Sequence, residues 1–316
     1  MRYPLKTVIE VTNLRKQYGD LTAVDDVSFV AQPGKVFGLL GPNGAGKSTT
    51  IGCISGLLKP TSGRVSILGH DVVSDGPASR LQLGVVPQEL AIYEDLSAFA
   101  NLQFWGAAYG LRGNDLEQRV NQTLDAIGLL DRAKEPCGQF SGGMKRRLNM
   151  GCALVHQPKV LLLDEPTVGV DPQSRVRLLD LVRDLQDQGT CVLYTTHYME
   201  EAETLCDELA IIDHGKIIAA GTLTELRGQM GERDMLRLSG QFDEEPVRQA
   251  LSQFENTQLL QLLPDSLHMA MPDASSRLQE VFSCLHQVGA TVRETTVSQP
   301  SLESLFIQLT GKDLRE

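Results

Sequence analysis

The chain has 316 residues, 41% of them hydrophobic and 22% charged, with a formal net charge of −11. That length suits one large α/β domain with a smaller companion, and the balance is ordinary for a globular chain. The acidic excess argues against a general nucleic-acid binder, which needs a basic face. The longest uncharged stretch, residues 96–111, is too short and too polar to span a bilayer.

The opening segment, Met1 to Thr7, lacks the apolar core of a signal peptide, so the chain is expected in the cytosol. A membrane role would then come through a partner. The six cysteines are scattered with no C-x-x-C pair and read as reduced thiols; no histidine stands at zinc-ligand spacing from them. From Thr222 onward there are 8 basic and 14 acidic residues, which is −6 of the −11 and marks a separate C-terminal unit.

Val8 to Thr12 reads as a strand, Arg15 to Gly19 as a polar turn bearing Tyr18, and Val24 to Val30 as a second strand. Tyr18 either stacks on a bound base or caps a hairpin. Pro33-Gly34 turns the chain into the apolar run Val36 to Leu40. There follows Gly41-Pro42-Asn43-Gly44-Ala45-Gly46-Lys47-Ser48-Thr49, opening onto a helical segment to Leu57. Strand, glycine-rich loop and helix start in that order are the setting of a phosphate-binding loop. Glycines 41, 44 and 46 permit positive φ and close backbone approach, while the helix N-terminus favours anions. Lys47 supplies a point charge for the β- and γ-phosphates, and the Ser48 hydroxyl is a ligand for Mg²⁺. The loop specifies a nucleoside triphosphate and no particular reaction.

Gly63 to Gly69 is a strand and turn, and Leu83 to Pro87 a buried strand ending at Gln88. Gln88 either reaches a metal or attacking water, or is a plain loop residue. From Leu96 to Leu129 the pattern is helical. Phe99, Leu102, Trp105 and Tyr109 form one apolar stripe, and Phe104, Ala108 and Leu111 a neighbouring one. Such a helix is either deeply buried or docked to another protein. In Phe140-Ser141-Gly142-Gly143-Met144, Ser141 caps a helix running to Val155 and the glycines expose its first N–H groups. Lys145, Arg146 and Arg147 read as a solvated basic face. Val160 to Leu163 is a buried strand tipped by Asp164 and Glu165, which alternation points in different directions. One acid can orient Mg²⁺ through water while the other serves as general base. Asp171-Pro172 starts a helix through Gln188, and the strand Cys191 to Thr196 delivers His197. His197 is either a satisfied polar residue or a γ-phosphate sensor.

Taken together, these residues resemble the nucleotide-binding subunit of an ABC transporter. Residues 140–144 resemble the family signature LSGGQ, and Tyr18, loop 41–49, Gln88, the signature, strand 160–165, Asp171 and His197 stand in the family's order. The resemblance covers roughly residues 5–228. It implies a P-loop NTPase core of ABC type, α/β with antiparallel β and helical subdomains, over residues 1–229, the helical part at about 96–157. It also implies that Tyr18 stacks on adenine, that loop 41–49 holds the phosphates of ATP, and that Ser48, Gln88 and Asp164 serve Mg²⁺. Glu165 would be the catalytic base and His197 the γ-phosphate contact, with Gln88 at the attacking water. Two cassettes, a second copy or a homologue, would pack head to tail so that Ser141, Gly142 and Gly143 of one close over ATP on the other. Phe140 and Met144 depart from the family's leucine and glutamine.

Residues 230–316 follow a β-α-β-β-α-β order, which points to a small α+β split sandwich. The end, Pro300 to Gly311, resembles the branch of the family that serves drug, lipid or polysaccharide exporters with a separate permease chain. The expected function is thus an ATP-hydrolysing subunit that drives a membrane permease from its cytoplasmic face, in the direction of export. The alternative is a soluble ABC ATPase acting on nucleic acid or the ribosome. Such proteins carry long coiled-coil insertions before the signature, or two cassettes in one chain, and this chain has neither. A non-catalytic regulatory cassette would lack Glu165 or His197. The cargo is not written in this chain, because selectivity in the family lies in the permease.

Overall fold

The computed structural model describes residues 8–229, 233–299 and 301–310. Strands β1 (Ile9–Tyr18) and β2 (Leu21–Ala31) pair antiparallel about a two-residue turn, Gly19-Asp20. The polar turn expected at Arg15 to Gly19 is therefore strand as far as Tyr18. Inward positions at Ile9, Val11 and Leu14 meet Val24 and Val27, and register shifts along the pair absorb the polar residues between them. Strand β3 (Val36–Leu40) is buried at every position and runs into the glycine loop and helix α1 (Lys47–Ile54). β4 (Ser62–Ile67) and β5 (His70–Asp71) complete an antiparallel sheet of order β2-β1-β4-β5.

Helix α2 (Gly76–Leu81) precedes β6 (Leu83–Val86), and then come three helices, α3 (Ala98–Ala108), α4 (Gly113–Ala126) and α5 (Gly142–Leu154). The chain returns as β7 (Val160–Asp164), α6 (Pro172–Asp187), β8 (Cys191–Thr196), α7 (Met199–Leu205), β9 (Glu208–Asp213) and β10 (Lys216–Gly221). These build a second sheet of order β10-β9-β3-β8-β7-β6, in which β9, β3, β8, β7 and β6 are parallel. Its strands β3, β7 and β8 are buried at every position because both faces are covered there. Val160, Leu162, Cys191 and Leu193 join the core with the antiparallel sheet and α1, while Leu161, Leu163, Val192 and Tyr194 join the core with the helical region. Phe29 stacks on Phe37 at 4.7 Å in the first core.

The order matters for function. β8 lies between β3 and β7, and the pairs Leu40↔Thr196 and Asp164↔Thr195 level the three carboxyl ends. Ligands of open α/β sheets bind outside those ends. Among the described residues, no helix is long and apolar enough to cross a membrane.

A second compact unit begins at Ala219. It holds α8 (Leu223–Gly228), β11 (Asp234–Gln241), α9 (Glu244–Leu251), β12 (Gln258–Leu262), β13 (Ser266–Met271), α10 (Ala274–Gln287), β14 (Thr291–Ser298) and α11 (Leu302–Thr310). The sheet order is β12-β13-β11-β14, with every neighbouring pair antiparallel. That is the split sandwich expected from the β-α-β-β-α-β order. Leu236, Leu238, Met269 and Met271 bury one sheet face against Val247, Val281 and Leu285 of the helices. Residues 230–232, Pro300 and Gly311, which fall in the expected boundary and terminal motif, lie outside the described residues.

Candidate nucleotide site

The glycine loop lines a cleft of about 400 Å³ together with Ala23, Lys47, Ser48, Thr49, Gln88 and Glu165. Asn43, Gly44 and Gly46 supply its backbone wall. Gly46 sits at φ 106° as the N-cap of α1, and a Cβ there would stand 2.5 Å from Ala23 O. Only glycine fits that combination. Gly44 also has positive φ, but Gly41, for which the same was expected, does not. Pro42 and Ala45 complete the turn through the bond from Ala45 N to Pro42 O at 3.2 Å.

Lys47 is only 4% exposed. Its ammonium donates to Gly41 O at 2.7 Å and Pro42 O at 2.9 Å, and pairs with Glu165 Oε1 at 2.9 Å. Glu165 is 5% exposed and leaves strand β7 in a left-handed conformation, φ 47°. This departure from extended geometry, rather than simple alternation, separates it from Asp164; a non-glycine residue held there is strained, and such strain concentrates at functional sites. Burial pushes the Glu165 carboxyl up, but the hydrogen bond and charge of Lys47, with His197 added, hold it below the usual carboxylate range. His197 Nδ1 lies 3.2 Å from Glu165 Oε2. Its ring rests on Tyr198, centroids 4.2 Å apart.

One residue that sequence reasoning missed ties the two acids together. Thr195 Oγ1 donates to Asp164 Oδ1 at 2.7 Å and accepts from the Glu165 N–H at 3.0 Å. A second, Glu201, is buried behind the site and accepts from Thr167, Tyr194 and Thr196 at 2.8–3.0 Å. The only sequence signal for the first was the Thr-Thr pair before His197, and nothing in it says which hydroxyl faces the acids.

The remaining expected residues are spread more widely. Gln88, two residues beyond β6, is exposed in the cleft wall. Tyr18 is 44% exposed at the tip of the β1–β2 hairpin with Lys16 Nζ 4.8 Å from its ring centroid, and it does not line the cleft. Ser141 caps α5, its Oγ accepting from Met144 N at 3.3 Å. Gly142 is open, whereas Gly143 is buried, a Cβ there falling 2.0 Å from Ser174 Oγ on α6. The second glycine thus serves helix packing in its own chain. Phe140 fills the helical core beneath Arg132, and Met144 Sδ accepts from the same guanidinium. The solvated basic face expected at residues 145–147 is corrected by the geometry: Arg146 is buried, and Arg147 Nη1 donates to Ile127 O at 2.6 Å.

The sequence profile of the family described as "ABC transporter" matches residues 24–168. The chain is 40% identical to the linearmycin resistance ATP-binding protein LnrL of Bacillus subtilis, covering 98% of this chain and all of that one. The chain belongs to the ABC transporter ATP-binding family. It is also 37% identical to the Nod factor export ATP-binding protein I of Sinorhizobium fredii, covering 98% of this chain and 87% of the relative. A solved structure, of the ATP-binding subunit of an ABC transporter, superposes with TM-score 0.66 at 35% identity over 71% of this chain and 94% of its own. The cassette is accordingly an ATP-binding, ATP-hydrolysing transporter subunit. The nucleic-acid alternative finds no relative among these matches.

Proposed function

We propose that this cassette, assigned to residues 1–229 with an accessory domain at 230–316, dimerises head to tail and powers a separate membrane permease that exports its cargo. The observation that carries this reading is the buried Lys47–Glu165 pair, with half-buried His197 against it, beside a glycine cradle at the carboxyl ends of β3, β7 and β8. ATP phosphates lie in the loop 41–49, and Tyr18 covers the adenine. The Ser48 hydroxyl and Gln88 amide in the cleft wall, and the Asp164 carboxylate beside Glu165, offer hard oxygens of the kind Mg²⁺ prefers. Among the described residues no three His, Cys, Asp or Glu side chains converge as a closed metal site. Held by these residues, Mg²⁺ would supply charge neutralisation for the phosphates.

The chain's own residues then act in sequence. Lys47 exchanges the Glu165 carboxylate for phosphate oxygens. Freed from that ammonium, Glu165 regains basicity and accepts a proton from the attacking water, which Gln88 helps to position. His197 contacts the γ-phosphate, and Ser141, Gly142 and Gly143 of the other subunit close the site. Export is favoured by the relatives named for linearmycin resistance and Nod factor export. A permease surface is favoured by Leu90, Tyr93, Leu96 and Phe104, which stay 39–47% exposed, with Phe104 packed edge-on to Tyr93 at 5.0 Å. The subunit would then sit on the cytoplasmic face of the membrane through that permease. Glu165→Gln with ATP tests the reading: a stable dimer in size-exclusion chromatography is expected, and a monomer at saturating ATP would refute it.

A further inference from the structure

Arg146 lies on α5, one and a half turns beyond the Ser141 cap, and is 7% exposed. Among the described residues no carboxylate pairs with it. Instead its Nη1 donates to Gln88 O at 2.7 Å and Pro87 O at 3.3 Å, and its Nη2 to Val168 O at 3.3 Å. Burial holds the guanidinium below its usual pKa range, and among the described residues its hydrogen-bonding partners are all backbone carbonyls. A buried cation satisfied only by backbone is costly to keep, so its retention calls for a reason.

The carbonyls it grips are informative. Gln88 carries the amide in the cleft wall. Val168 N in turn donates to Glu165 O at 3.3 Å, closing the turn that follows the catalytic carboxylate. One planar fork therefore spans the backbone of both residues. The same helix holds the loop at two more points: Asn149 Oδ1 accepts from Ala91 N at 2.9 Å, and Lys145 pairs with Glu94 at 2.8 Å. Residues 87–94 are fastened to α5 through Arg146, Asn149 and Lys145, and Arg146 alone of the three also reaches the Glu165 turn.

We infer that Arg146 is a positioning residue that couples the signature helix to Gln88 and Glu165 of its own chain. When the other subunit's nucleotide seats against Ser141 at the start of α5, a displacement of that helix is passed through the guanidinium to both residues that handle the attacking water. This rests on the proposed function of the site. Lysine cannot replace the fork, because a point charge with tetrahedral donors does not span three carbonyls in a plane.

The test uses the full chain with Arg146→Ala, Arg146→Lys and Glu165→Gln, measuring nucleotide affinity, kcat and KM for MgATP, and melting temperature. Nucleotide affinity is expected within about twofold of the parent, while misplacement of the reacting groups lowers kcat by roughly ten- to a hundredfold in both arginine variants. Added guanidinium should restore turnover to Arg146→Ala and not to Arg146→Lys, a response that lost packing alone does not give. If Arg146→Ala does not fold, the split between kcat and affinity in Arg146→Lys decides. A kcat within about twofold of the parent, or losses of affinity and turnover in parallel without rescue, overturns the inference. The two readings separate cleanly: if Glu165→Gln hydrolyses like the parent, the site assignment itself fails. If Glu165→Gln is inactive while the arginine variants match the parent, only the coupling fails.

Discussion

Replacing Lys47 by methionine isolates the ion pair at the centre of the site. The side chains are 4% and 5% exposed and 2.9 Å apart. At an effective dielectric of about 20 the gross attraction is roughly 6 kcal/mol, much of it offset by desolvation. Removing one partner strands the other, so Lys47→Met should cost about 3 kcal/mol near pH 7.5, with His197 as the remaining neighbour. The cost depends on pH in a defined sense. In the parent the Glu165 pKa is lowered, so its contribution is present above the ordinary glutamate range and is lost as pH falls through the folded value. In Lys47→Met, burial dominates and the pKa rises, so the penalty is full at neutral pH and fades on acidification as the carboxyl takes up a proton. The difference between parent and variant should therefore shrink between pH 7.5 and pH 4.5. Urea unfolding of Lys47→Met, Glu165→Gln and the double variant measures the coupling. The double variant should be more stable than the sum of the singles by about 2 kcal/mol. Additivity within about 0.5 kcal/mol, or a penalty that grows on acidification, would refute the argument.

Thr195→Val keeps the shape of β8 but deletes the hydroxyl shared by Asp164 and Glu165. It should cost about 1.5–3 kcal/mol in denaturant unfolding and lower kcat more than nucleotide affinity. His156 stacks on Tyr109 at 3.5 Å and bonds Leu83 O, and burial depresses its pKa to about 4. Because the folded state resists its protonation, it should cost stability as pH falls below about 6.5, reaching roughly 3 kcal/mol near pH 4. His156→Phe, which preserves the stack, should flatten that part of the stability profile.

The parts of this fold legible in the sequence were those where local pattern and chemistry agree. The apolar runs of β3, β7 and β8 and the glycine loop at 41–49 are dictated by short-range constraints, and the tail's alternation of strand and helix emerges in the expected order. What was not legible depends on side chains meeting across the fold. The run Lys145-Arg146-Arg147 looks like a charged face, yet the i+3 geometry of α5 turns Arg146 inward to carbonyls fifty-eight and twenty-two residues away. Gly143 looks like an anion-binding glycine, and only the seat of α6 reveals that Ser174 also excludes a side chain there. Nothing in the strand pattern foretells that Glu165 turns left-handed to meet Lys47. Tyr18 stayed ambiguous because a hairpin tip fixes its position in the chain and not its relation to a bound base.

The central claim is that each ATP site is completed by the other subunit, and subunit mixing tests it most directly. Lys47→Ala should silence the site in its own chain, and Ser141→Arg the site across the interface, so each variant alone is inactive. In a head-to-tail heterodimer of the two, both defects fall on one site and the other is left with intact Lys47 and Ser141. Mixing equal amounts should restore ATP hydrolysis to on the order of a quarter of the parent rate per chain, given random pairing. A mixture as inactive as its components would contradict the composite site.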